Sequence, residues 1–211
     1  HLTVMFDSRG VSLTGYGLTY QGDFEGMLHR VTNGRLSHEM LVRAVKTEGE
    51  HLKAIDATAG MGEDGFLLAA YGYEVTLYEQ NPVIAALLKD ALRRARKHPV
   101  LKDIASRMKL VEGDSVSCME KLMDPVDVIY LDPMFPERRK SAAVKKKFQL
   151  LHHLEQPCEE EEALVAAALA AQPRKVVIKR PAKGALLAGM KPSYSVAGKA
   201  VRYDVLVPPR P

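Results

Sequence analysis

The chain predicts an α/β fold: a mostly parallel seven-stranded sheet with helices on both faces, preceded by a small N-terminal hairpin appendage. Three observations predict it. Short apolar runs alternate with longer segments of helical period, an arrangement that gives parallel strands joined by right-handed crossovers. One of these runs, Ala54-Ile55-Asp56-Ala57, leads through a glycine turn directly into a helical pattern. Several runs also end in acidic residues, as though their carboxyl ends shared one polar edge.

Taken in order, Leu2 to Leu13 holds two short apolar segments around Asp7-Ser8-Arg9-Gly10, the pattern of a hairpin. Gly15 to Gly26 is glycine-rich and reads as a loop. Ser37 to Val45 predicts a helix capped by Ser37, with Met40, Leu41, Ala44 and Val45 as its apolar stripe. Strands are expected near 53–57, 74–79, 108–112, 126–131 and 174–180, with the last two inside 193–197 and 201–207. Helices are expected near 62–71, 82–97, 115–122, 141–155 and 159–171. Glu159 to Glu162 supplies the negative first turn that a helix dipole favours. Residues 1–36 form the appendage and 37–211 the main domain.

Bulk properties narrow the class of protein. A length of 211 residues suits one domain with a substantial core, and 46% hydrophobic with 27% charged residues is ordinary for a globular chain. The net charge of +4 and the pI near 9.0 lean towards an anionic partner. Cys118 and Cys158 have no paired spacing, and His152 and His153 have no ligands at metal spacing, so neither a disulfide framework nor a metal is expected. No apolar stretch is long enough to span a bilayer and no signal peptide opens the chain, so a cytoplasmic setting without a membrane is the expectation. Nothing in the sequence sets the oligomeric state.

The most informative segment is Asp132-Pro133-Met134-Phe135-Pro136, which closes the apolar run Val126 to Leu131. It places a carboxylate, a stiff backbone carbonyl and a flat ring close together, a set able to hold a planar amino group by its hydrogens and cover its ring. A plain strand-ending turn would use the same proline. The upstream sequence favours the ligand reading. Gly60, Gly62 and Gly65 spell G-x-G-x-x-G at a strand-to-helix turn, and Glu79 ends the next apolar run nineteen positions after Gly60. That spacing sets a carboxylate against ribose hydroxyls in a nucleotide-binding βαβ unit. A nicotinamide or flavin enzyme would share the pattern. However, Asp56, Glu63 and Asp64 crowd the turn and would repel a pyrophosphate, whereas the sulfonium and ammonium of S-adenosylmethionine suit it. A third element, Val111-Glu112-Gly113-Asp114-Ser115, again follows a strand and opens a helix.

With these elements the chain resembles the class I, Rossmann-like S-adenosylmethionine-dependent methyltransferases. More narrowly it resembles the RsmJ-type guanine-N2 methyltransferases of small-subunit ribosomal RNA. The resemblance rests on Asp56-Ala57-Thr58-Ala59-Gly60, Glu79-Gln80-Asn81-Pro82-Val83, Tyr130-Leu131-Asp132-Pro133-Met134-Phe135-Pro136, Lys140-Ser141-Ala142, Val144-Lys145-Lys146 and Lys179-Arg180-Pro181, and runs from about Asp23 to Tyr203. It implies S-adenosyl-L-methionine as cofactor, held by Asp56, Gly60, Gly62, Glu63, Asp64, Glu79, Gln80, Asp114, Ser115 and Asp132. Asp114 and Ser115 are then beside the adenine, although either could be only a helix cap. It implies Asp132, Pro133 and Phe135 as the catalytic set. There are departures: family members usually have a longer N-terminal portion, their basic glycine-rich stretch is reduced here to Val31-Thr32-Asn33-Gly34-Arg35, and an arginine common in the glycine turn is Glu63.

Ribosomal RNA, free or in the small ribosomal subunit, is the implied partner. Arg138, Arg139, Lys140, Lys145, Lys146 and Lys147 follow the Asp-Pro-Met-Phe segment, where RNA phosphates would need neutralising, and Lys179 with Arg180 at a strand end forms a candidate substrate clamp. The alternatives are a solvated face for the first cluster and a lysine and arginine snorkelling off an edge strand for the second. His29-Arg30 and Asn33-Gly34-Arg35 are a further candidate contact. Other readings stay open: an amino-methyltransferase acting on another RNA, DNA or protein, a nicotinamide-dependent oxidoreductase, and a non-catalytic RNA-binding module.

Overall fold

The computed structural model describes residues 1–134, 149–155 and 158–209. The main sheet joins β4 (Lys53–Asp56), β5 (Glu74–Glu79), β6 (Met108–Glu112), β7 (Val128–Leu131), β8 (Lys175–Pro181), β9 (Tyr194–Ala197) and β10 (Val201–Leu206) in the order β6-β5-β4-β7-β8-β10-β9. The β6-β5-β4-β7-β8 portion is parallel, and β10 runs antiparallel to both β8 and β9. The chain leaves β4 towards β5 on one side and later returns to β7 on the other. The sheet therefore has a topological switch point between β4 and β7, where open α/β sheets form their ligand crevice.

Alternation along the central strands builds a core on each face. Ala54, Val75, Leu77, Val128, Tyr130 and Val177 pack under Phe66, Leu67 and Leu88, which belong to α3 (Glu63–Tyr71) and α4 (Pro82–Ala95). Ile55, Tyr78, Ile129, Leu131, Val176 and Ile178 pack against Leu164, Val165 and Ala168 of α8 (Glu161–Ala170) and Met119 of α6 (Ser115–Glu120). The start of α4 is fixed by Asn81, whose side chain accepts from the N–H groups of Val83 and Ile84 at 3.0 and 3.2 Å, with Pro82 in the first turn. Glu161 and Glu162 do occupy the first turn of α8.

The N-terminal region is more than a hairpin. β1 (Thr3–Asp7), β2 (Gly10–Gly15) and β3 (Leu18–Tyr20) form a separate antiparallel sheet, so part of the glycine-rich segment expected as a loop is a strand, with Tyr20 opposite Leu13. Leu13 and Tyr20 are buried with Ile84 and Leu87 of α4 and with Leu150 and Leu151 of α7 (Gln149–His152). This sheet thus backs the helix that walls the crevice. Asp90 of α4, almost fully buried, fastens it polar-side: it accepts from the Val11 N–H at 3.1 Å and from Arg93 and Arg94, while Arg94 also donates to the Gly22 carbonyl.

Three local expectations need correction. Ser37 caps nothing; its hydroxyl donates back to the Gly34 carbonyl at 2.9 Å within a 3-10 turn over Arg35–His38. Gly34, with φ at 73°, breaks the path there, and α2 (Met40–Val45) starts only after Glu39. A short helix, α5 (Lys102–Ser106), went unforeseen because five residues give too little periodicity to read. Of the helix expected over 141–155, residues 149–155 are described, and within them only α7 (Gln149–His152) is helical; the chain turns after it.

Candidate active site

The carboxyl ends of β4, β5, β6, β7 and β8 surround a cavity of about 780 Å³ at the switch point. Asp56, Gly60, Glu63, Asp64, Glu79, Gln80, Asp114, Ser115, Asp132 and Pro133 all line it. Apolar walls come from Ile84, Val116, Met134, Leu151, Leu154 and Leu164. The Leu154 carbonyl is held by the Asn81 side-chain amide at 3.1 Å, and the Met134 carbonyl accepts from the Cys158 N–H at 3.2 Å.

The glycine turn divides its labour. Gly60 borders the cavity, has φ at 52°, and has open space where a Cβ would be. Its backbone requires glycine for conformation, not for room. Gly62 does not line the cavity. Its φ is 75°, and a Cβ there would come within 2.9 Å of Leu88, so it serves the turn and the packing beneath. Gly65 lets α3 approach β5, since a Cβ would lie 2.4 Å from the Leu77 side chain. Two of the three glycines in G-x-G-x-x-G therefore answer to packing. The Gly60 N–H is itself taken by Glu79 Oε2 at 3.0 Å, while Oε1 accepts from the Asn81 N–H at 2.8 Å. Burial pushes the Glu79 carboxyl above the usual range, against the pull of these N–H groups. Asp114 borders the cavity and also caps α6, accepting from the Ser117 N–H at 2.8 Å.

The floor is a charge cluster. Asp56 is 1% exposed and accepts from the Thr58 N–H at 3.1 Å. Burial, then the fields of Asp64 and Asp132, push its carboxyl up to about 8 although Thr58 and Lys179 oppose them. Asp64 accepts a 2.5 Å hydrogen bond from the Tyr130 hydroxyl. The Lys179 ammonium lies 3.2 Å from Asp64 Oδ2 and 3.2 Å from Asp132 Oδ2. Burial disfavours the Lys179 charge, but the two carboxylates outweigh it and raise its pKa. The Asp132 N–H donates to Thr58 Oγ1 at 2.7 Å, tying the end of β7 to the turn after β4.

Lys179 and Arg180 do not form one clamp. Successive strand residues point to opposite faces; Lys179 enters the cavity, while Arg180, 3% exposed, donates through Nε to the Ala185 carbonyl at 2.6 Å. Phe135, Arg138, Arg139, Lys140, Lys145, Lys146 and Lys147 lie outside the described residues. Among the described residues no group of His, Cys, Asp and Glu could hold a metal ion, and no helix is long and apolar enough to cross a membrane. Sequence reasoning missed Thr58 and Tyr130, and missed that Lys179 joins two carboxylates. Strand register would have found the last contact: Leu131 pairs with Ile178, so the next residues are Asp132 and Lys179.

An acid-lined crevice at the switch point of a seven-stranded sheet with one antiparallel edge pair is the architecture of a class I S-adenosylmethionine-dependent methyltransferase. The family model for SAM-dependent methyltransferases matches residues 20–208. Ribosomal RNA small subunit methyltransferase J of Pseudomonas aeruginosa is 47% identical over 179 residues, covering 84% of this chain and 69% of the relative. The enzyme of the same name from Thioalkalivibrio sulfidiphilus is 42% identical over 216 residues, covering 98% and 84%. A crystal structure of a SAM-dependent methyltransferase from Neisseria gonorrhoeae superposes with a TM-score of 0.80 at 33% identity, covering 97% of this chain and 82% of that one. The chain belongs to the ribosomal RNA small subunit methyltransferase J family, and its cofactor is S-adenosylmethionine.

Proposed function

We propose that this enzyme methylates the exocyclic N2 of a guanine in small-subunit ribosomal RNA. The observation that carries the proposal is the Asp132-Pro133 pair in the lining of an acidic cavity, with the Asp132 backbone pinned by Thr58 and its carboxylate by Lys179. The donor set suits the cofactor: Asp56, Glu63, Asp64, Glu79, Asp114 and Asp132 share the lining with Lys179. Such a lining favours a cation and repels a dinucleotide pyrophosphate, which weighs against the oxidoreductase reading. Glu79 would hold the ribose hydroxyls, Gln80, Asp114 and Ser115 the adenine, and Asp56, Gly60, Glu63 and Asp64 the methionine end.

Bound S-adenosylmethionine supplies an already activated methyl group, so the chain's task is alignment and exclusion of water. A guanine amino nitrogen is a poor nucleophile because its lone pair is delocalised into the ring. Donation of its two N–H groups to the Asp132 carboxylate and the Pro133 carbonyl would turn that lone pair towards the methyl. Phe135 would stack on the base, a contact worth about 1–3 kcal/mol for an unpaired base. The target must be unpaired or flipped out to enter the cavity. The partner is then ribosomal RNA or the small subunit, and the cytoplasm the setting.

Mass mapping of modified nucleotides in cells lacking the protein tests the whole reading. One N2-methylguanine of small-subunit RNA should disappear and return on complementation; an unchanged set of methylated guanines would sink it. Two variants test its parts. Glu79→Ala should weaken S-adenosylhomocysteine binding by about 1–3 kcal/mol in titration calorimetry, the loss of a charged hydrogen-bond partner; wild-type affinity would remove Glu79 from the ribose site. Replacing Lys145, Lys146 and Lys147 together with Ala should raise KM for RNA, leave cofactor affinity unchanged and flatten the salt dependence by roughly 0.7 per lost phosphate contact. Wild-type RNA affinity at every salt concentration would make that run a solvated face.

A further inference from the structure

Lys179 is placed where a phosphate contact would be unexpected. Its side chain is only 20% exposed, and its Nζ stands 3.2 Å from a carboxylate oxygen on each of two elements, Asp64 of α3 and Asp132 beyond β7. An RNA phosphate approaching it would meet those two negative charges first. Asp64 has a second anchor in the Tyr130 hydroxyl, so Lys179 is not needed to fix it. Asp132 stands just beyond β7, where Pro133 cannot continue the ladder, and its carboxylate lies 3.2 Å from the Lys179 ammonium. We propose that Lys179 is a positioning residue which holds the Asp132 carboxylate in one orientation towards the substrate amino group, and is not a contact to RNA phosphate. This rests on the role given to Asp132 above.

The electrostatic setting agrees. Asp64 and Asp132 touch the ammonium, and Asp56 at the end of β4 and Tyr203 of β10 act on it through the field. The Asp64 and Asp132 carboxylates, each 3.2 Å from the same ammonium, would repel one another without a cation between them. The same charge balance gives the proposal an unusual signature. The cofactor is itself a cation, and removing a positive charge from its cavity should not weaken its binding. An alignment role and a cofactor-binding role therefore part in sign.

Four proteins are compared: K179M, K179R, D132N and the double variant K179M/D132N. Initial rates with ribosomal RNA give kcat and KM, and calorimetry gives S-adenosylmethionine affinity. K179M should lose at least about tenfold in kcat at saturating RNA, with KM for RNA within about threefold and the cofactor bound no more weakly than in the wild type. K179R should recover part of the loss, because a guanidinium keeps the charge but not the point geometry. The double variant should be no slower than D132N alone, since Lys179 acts through Asp132. A raised KM with kcat retained would overturn the proposal in favour of a phosphate contact. A parallel fall of kcat and cofactor affinity in both K179M and K179R would overturn it in favour of a purely structural role. If K179M does not fold, K179R and D132N decide: K179R at the wild-type KM and a lowered kcat supports the proposal, and K179R with an unchanged kcat opposes it. D132N inactive beside a fully active K179M would defeat this proposal alone. D132N at the wild-type rate would defeat the Asp132 reading and this proposal together.

Discussion

Asp132→Ala is expected to lower kcat by about a hundredfold at saturating RNA, the upper end of what a charged hydrogen-bond partner contributes. The loss should appear in kcat because the contact matters most once the amino nitrogen has turned its lone pair out of the ring. A contact of equal strength before and during the reaction would show in KM alone. The fold should survive the change: the backbone N–H that donates to Thr58 Oγ1 remains, and the residue lies beyond the last paired position of β7. The variant also leaves Lys179 with Asp64 as its near carboxylate, so the ammonium is not stranded. Single-turnover rates with a ribosomal RNA fragment measure the effect. A kcat within about threefold of the wild type would remove Asp132 from the chemistry and shift attention to the Pro133 carbonyl.

The parallel portion of the sheet was legible in the sequence because its strands are apolar-rich runs, the central ones largely buried, with polar residues at or next to their carboxyl ends. Glu74–Glu79 and Met108–Glu112 have the limits the pattern predicts. What could be read of the site came from the same source, since Asp56, Glu79 and Asp132 all stand at strand ends, where topology brings them together. The rest depended on contacts between elements far apart in sequence. Lys179 reads as half of a basic dipeptide until the register of β7 against β8 sets it beside Asp132. Gly62 reads as a ligand-contacting glycine until Leu88 is seen to fill the space where its side chain would stand. The third N-terminal strand was missed because three residues between glycines give no alternation to count. Its stability comes from Leu13 and Tyr20 meeting α4 and α7, a packing that no local pattern encodes.

Asp56→Asn should raise the melting temperature of the ligand-free protein, by an amount that grows with pH. The buried Asp56 carboxyl has its pKa pushed up from 3.8 to about 8 by burial and by Asp64 and Asp132. The folded state therefore holds a proton that the unfolded chain releases. The stability this proton confers is fully present below about pH 4 and is lost as pH rises through about 8. Within that window each pH unit costs the wild type at most about 1.4 kcal/mol, or roughly 3–5 °C of melting temperature in a domain of this size. Asparagine has nearly the same shape, can still accept from the Thr58 N–H and carries no charge, so its melting curve should lack this component. Other groups titrate across the window, Glu79 with its raised pKa among them, and the comparison must be the difference between the two proteins. That difference should be near zero at pH 4 and should widen steadily to about pH 8. Thermal scans at half-unit intervals measure it. A constant offset across the range would mean that Asp56 is ionised in the folded state throughout, with Lys179 and the Thr58 N–H outweighing burial and the neighbouring carboxylates.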